Sequence, residues 1–231
     1  MKDLRKADRF FLKTIAKAPK DPFWVGNYAV FQHYYLQNFA AAEKYYRRSL
    51  LLNKNDAFVL YNYGILSIFW SRDYNLAEKL LKKAIEIDPE YPKFRCTYAG
   101  FLFKIRKKFD EAERICKDVV DVYDTNPRWL AIFAQLKLLR QKFSDADVLI
   151  TRAFALDPTD DIKLALWFFR YAHYIQNIQK AEYEMNKLLK ANVKTPIWGL
   201  QQNAMEAIIN GHEYPEKLQE YAKSCESVFK I

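Results

Sequence analysis

The chain has 231 residues, 51% hydrophobic, 16% aromatic and 28% charged, with a formal net charge of +9. No apolar run approaches the ~20 residues that span a bilayer; the longest, Phe58 to Trp70, is interrupted by Asn62 and reads as a buried helix. The charges from Lys2 to Arg9 are not what a secretory leader is expected to carry, and Cys96, Cys116 and Cys225 lie too far apart for a metal or redox motif, so free thiols in a reducing, cytoplasmic compartment are expected.

Taken in order, residues 1–21 predict a lone helix over 4–18, with Phe10, Phe11 and Ile15 on its apolar side. Residues 22–56 then predict a helix pair, with Asn27-Tyr28-Ala29 in the first helix and Phe39, Ala42, Tyr46 and Ser49 in the second. Residues 57–91 repeat the pattern. Leu60, Tyr63, Gly64 and Ser67 line one helix, and Ala77, Leu80, Leu81, Ala84 and Ile85 line the next, after the polar turn Ser71-Arg72-Asp73. Asp88-Pro89 stops that second helix, because proline cannot continue one. Further pairs follow at 92–126, 127–160 and 161–195, and a degenerate one at 196–231 whose last helix, 214–230, is charged as a terminal cap would be. Asp160-Asp161, between two pairs, reads as a helix cap.

The pairs are copies. Tyr28, Tyr63, Tyr98 and Phe133 are spaced by 35, and Trp167 follows after 34. Ala42, Ala77, Ala112, Ala146 and Ala181 keep the same period, as do the small residues Ala29, Gly64, Ala99 and Ala134. A two-helix unit of ~34 residues cannot bury its apolar side alone and must stack on its neighbours.

These residues resemble the tetratricopeptide-repeat family, in which small residues stand at repeat positions 8, 20 and 27 and proline at 32; Gly64, Ala77, Ala84 and Pro89 match them. The resemblance implies an all-α fold, a right-handed superhelical solenoid of antiparallel helix pairs about thirteen helices long. Departures are the aromatic residue at position 7, one extra residue in most turns, Lys54 and Asp124 in place of proline, and Phe168 in place of a small residue.

The resemblance also implies a non-catalytic protein-interaction scaffold or adaptor, whose concave face is lined by the first helix of each pair. Transferred to this chain, those positions give Phe23, Asn27, Val30, His33 and Tyr34; then Phe58, Tyr61, Asn62, Ile65, Ile68 and Phe69; then Lys93, Cys96, Thr97, Gly100, Phe103 and Lys104. The expected peptide-binding set is Phe23, Asn27, Val30, Tyr34, Phe58, Tyr61, Asn62, Ile65, Phe69, Lys93 and Thr97. The partner is expected to be a protein or peptide, without cofactor, metal or membrane. A carboxylate clamp of the kind that holds chaperone tails finds two of its five residues here, Asn62 and Lys93. The alternatives are a structural subunit using its convex surface and, resting on net charge alone, an RNA-binding repeat; nucleic acid is disfavoured because the cations alternate with acids along the chain. Since the first helix lacks its pair, self-association or partner docking is expected there.

Overall fold

A computed structural model describes residues 2–195 and 198–226. Pro196 and Ile197, and residues 227–230 of the expected terminal helix, lie outside the described residues. Among those described there are thirteen α-helices and no strand. The chain forms two compact units, residues 1–106 and 107–231.

The first unit holds α1 (Lys2–Lys17), α2 (Pro22–Tyr34), α3 (Phe39–Leu52), α4 (Ala57–Leu66), α5 (Tyr74–Ile87) and α6 (Pro92–Phe101). α2 pairs with α3, α4 with α5, and each pair packs on the next. Asp21, Asn38, Asp56 and Asp73 start α2 to α5 by accepting a backbone N–H of the first turn, satisfying a donor the helix itself leaves open. Close approach is visible at Gly64, where a Cβ would stand 3.0 Å from Leu81 Cγ, and at Gly26, where it would stand 2.7 Å from Val59 Cγ2. Ala42 and Ala77 are fully buried between paired helices, as the small-residue series predicts.

In two repeats the end of the first helix widens into a π turn, Ser67–Ser71 after α4 and Leu102–Arg106 after α6. Beyond these turns, and at the matching point of the other pairs, one residue enters the left-handed region: Gln37, Arg72, Lys107, Gln141 and Gln176, all at φ between 52° and 61°.

α1 lays Leu4, Ala7, Phe11 and Ile15 against Val25, Tyr28 and Phe31 of α2. Ile15 is thereby buried and Phe11 half-buried, while Phe10 remains 58% exposed and is the one of the three that leaves its apolar surface uncovered. Tyr28 Oη donates to Asp8 at 2.7 Å, Tyr63 Oη to Glu43 at 3.0 Å and Tyr98 Oη to Glu78 at 3.5 Å. Each hydrogen bond ties the second helix of one pair, or α1, to the first helix of the next.

The second unit holds α7 (Phe109–Val122), α8 (Pro127–Leu139), α9 (Phe143–Ala155), α10 (Asp160–Ala172), α11 (Ile178–Lys190), α12 (Leu200–Ile209) and α13 (Pro215–Cys225). The same acid position recurs, now with cationic donors: Lys137 and Arg140 reach Glu113 at 2.7 and 2.6 Å, and Arg170 reaches Asp147 at 3.2 Å. Thr159, not Asp160 or Asp161, is the cap residue of α10; the two aspartates sit in the first turn, where a negative charge suits the helix dipole, and Asp161 meets Arg128 at 3.1 Å. Phe168 is accommodated by burial beside Phe169, on whose ring Trp198 packs edge-on at 6.1 Å. Glu226, just past α13, caps α12 by accepting from Leu200 N at 2.6 Å.

Candidate peptide-binding face

All eleven expected contact residues lie in the first unit, on α2, α4, the π turn after α4, and α6. Equivalent positions of successive repeats behave alike. Phe23 and Phe58, one repeat apart, are 62% and 48% exposed at the starts of α2 and α4. Tyr34 and Phe69, at the far ends, are 46% and 57% exposed. Val30 and Ile65, between them, are half-buried.

The asparagines are held in one geometry. Asn27 Nδ2 donates to Phe23 O and Asn62 Nδ2 to Phe58 O, each at 2.8 Å. Their oxygens differ. Asn62 Oδ1 accepts from Tyr34 Oη at 3.0 Å, and Asn62 is buried. The oxygen of Asn27 has no partner among the described residues and stands at a half-buried position, free to accept from a ligand. Asn62 thus braces one repeat on the next, while Asn27 is the amide presented.

Tyr61 is also framework. It is buried, its ring packs on Phe94 at 4.9 Å, and its hydroxyl lies 3.2 Å from Thr97 Oγ1. The exposed Lys93 ammonium lies 5.4 Å from the Tyr61 ring centre, a cation–π contact that places a positive charge at this end of the face. His33 stacks on Tyr34 at 4.2 Å beneath the surface; burial lowers its pKa to about 4, so it is neutral at pH 7. Burial raises the Tyr34 hydroxyl above its ordinary range, which keeps it a donor to Asn62. Cys96 and Phe103 are buried and present nothing to solvent, and burial pushes the Cys96 thiol up to about 12.

The face is therefore four exposed rings in two rows around a free amide, with a lysine at one end. The +9 charge is unevenly placed. Residues 1–106 hold 19 lysines and arginines against 10 acids, whereas residues 107–231 hold 18 of each. The first unit is the basic one, and the composition of the whole chain conceals this.

The family model for the tetratricopeptide repeat matches residues 71–136. No curated protein matches the chain. Solved structures share its fold at low identity. A tetratricopeptide-repeat protein from Parabacteroides merdae aligns over 95% of this chain and 78% of its own, at 21% identity and a TM-score of 0.64. PilW, described as a widely conserved type IV pilus biogenesis factor, aligns over 83% of this chain and 86% of its own, at 21% identity and a TM-score of 0.67. YrrB, described as a tetratricopeptide-repeat protein with an unusual peptide-binding site, aligns over 87% of this chain and 96% of its own, at 16% identity and a TM-score of 0.55. With its recurring small residues buried between paired helices, the chain has the fold of these tetratricopeptide-repeat structures, and its residues 71–136 match the tetratricopeptide-repeat family model.

Proposed function

We propose that the chain is a non-catalytic interaction scaffold that receives a peptide or helical segment on the first-helix face of its basic unit. The observation that carries this reading is the repeated pair of exposed rings, Phe23 with Tyr34 and Phe58 with Phe69, flanking the open oxygen of Asn27. Exposed apolar groups around a few fixed polar ones are what a groove-binding segment needs: the rings supply apolar burial and the amide fixes register. The peptide-binding site for which YrrB is described supports the reading by likeness of fold. Lys93 favours a ligand with an acidic group at that end. The buried thiols of Cys96, Cys116 and Cys225 fit a reducing, cytoplasmic setting.

The experiment is selection of a displayed peptide library on the full chain, followed by titration of a selected peptide. Phe58→Ser with Phe69→Ser should weaken binding at least about 30-fold, the loss expected when two half-exposed aromatic anchors are removed. Asn27→Ala should weaken it about 5- to 10-fold. A folded double variant that binds as tightly as the parent rules the face out.

A second reading rests on another periodic series. Leu52, Ile87, Val122 and Leu156, at the ends of the second helices or just beyond, recur every 35, 35 and 34 residues and are exposed. In that reading the chain is a structural subunit held by its outer surface.

A further inference from the structure

The outward side of α1 is not accounted for by the peptide face. Residues 2–20 carry seven lysines and arginines against two aspartates. One of those aspartates, Asp8, is engaged inward by Tyr28 and Gln32; the other, Asp3, lies in the first turn. Lys6, Phe10, Lys13 and Lys17 follow one another at i, i+4, i+7 and i+11, so they form one line along the helix. All four are exposed, as are Arg5, Arg9 and Leu12, and none of these cations makes an ion pair among the described residues. An apolar ring in line with lysines that make no ion pair among the described residues is a half-made interface.

The chain also carries a surface of the opposite kind. Between residues 205 and 220 there are four glutamates and one lysine, and that lysine, Lys217, is taken by Glu182 at 2.5 Å. Glu213, Glu216 and Glu220 are exposed. On the paired helix α12 and at the start of α13, Met205, Ile209 and Tyr214 are exposed apolar groups. Each surface thus has apolar residues edged by charge, and the charges are of opposite sign.

We propose that this chain self-associates head to tail, the α1 face of one molecule docking on the α12–α13 face of a second copy. Phe10 packs against Met205, Ile209 and Tyr214, and the lysines of α1 meet Glu213, Glu216 and Glu220. The contact is heterologous, using different surfaces on the two copies. Acid–base pairs at the rim set orientation and encounter rate, and the apolar centre sets the lifetime.

Sedimentation velocity of the full chain over a concentration series tests this, at about 50 mM and about 500 mM salt, since surface charge pairs are strongly screened at the higher value. At low salt the weight-average mass should rise with concentration, and at high salt the rise should shrink. Two variants locate the contact: Lys6→Glu with Lys13→Glu and Lys17→Glu, and Glu213→Lys with Glu216→Lys and Glu220→Lys. Each alone should weaken self-association at least about ten-fold. Mixed in equal amounts they should associate again, since the charges once more match across the contact. Circular dichroism of each variant shows that it is folded. If the glutamate variant fails to fold, the lysine variant mixed with the parent chain serves instead: it should join the parent through its intact α12–α13 face but not itself. A parent chain that stays monomeric at every concentration at low salt overturns the proposal, and so does a folded lysine variant that self-associates like the parent.

Discussion

Ala77 shows how little room the repeat leaves a side chain. It is fully buried, and its carbonyl lies 3.5 Å from where a Cβ on Gly64 would stand. Ala77→Leu adds three carbons with nowhere to go and should cost about 1–3 kcal/mol, read as a lower urea midpoint; an unchanged midpoint would show the register of this pair to be wrong. A pH effect belongs to the same scale. Burial lowers His33 and His173 to about 4, below the ordinary 6.5. Above pH 6.5 both states are neutral there and the fold keeps its full stability. As pH falls from 6.5 to 4 the unfolded chain binds protons that the folded chain refuses, so stability is lost, by roughly 3 kcal/mol per histidine at most. Thermal melts should therefore drop between pH 7 and 5, and His33→Asn should flatten part of that drop; an equally steep profile in the variant would remove His33 from the account.

At the scale of the element, the helices were legible from the spacing of their apolar residues and not from the side chains that start them. Asn38, Asp73 and Asn177 begin second helices with a side-chain cap, and Lys108 and Lys142 stand at the same position without one. Lys108 already has φ −88° and ψ 71°, close to the −81° and 82° of Asp73. Lys108→Asp should therefore stabilise by about 1 kcal/mol and raise the melting temperature by a few degrees; the exposed contact it gives up, 3.9 Å to Glu111, is worth little. No gain would mean that the lysine is held by more than its backbone. The turns were not legible. The left-handed residues are glutamine, arginine and lysine, at a position where glycine is the usual mark, and the π turns arise from a count of residues instead of from any one of them. The acid that accepts from the neighbouring repeat was in plain sight: Glu43, Glu78, Glu113, Asp147 and Glu182 each follow the alanine of the periodic series. It reads as ordinary surface charge until its partners are seen.

For the whole molecule, the repeat could be read from spacing and the set of first-helix positions from the family resemblance, but neither told which of those positions reach solvent. Tyr61 and Asn62 carry the repeat's pattern and are buried; Asn27 carries it and is open, because the tyrosine that covers Asn62 comes from the preceding repeat and α1 supplies none to Asn27. The asymmetry between a basic first unit and a neutral second one is equally invisible in the total charge. The central claim is that the exposed rings of α2 and α4 are where a partner sits. Backbone amide hydrogen exchange of the full chain, with and without a selected peptide at saturation, tests it most directly. The account predicts slowed exchange across residues 23–34 and 58–69, with the helix ends at Leu52, Ile87, Val122 and Leu156 unchanged. Protection confined to those outer ends, with α2 and α4 unaffected, would contradict it.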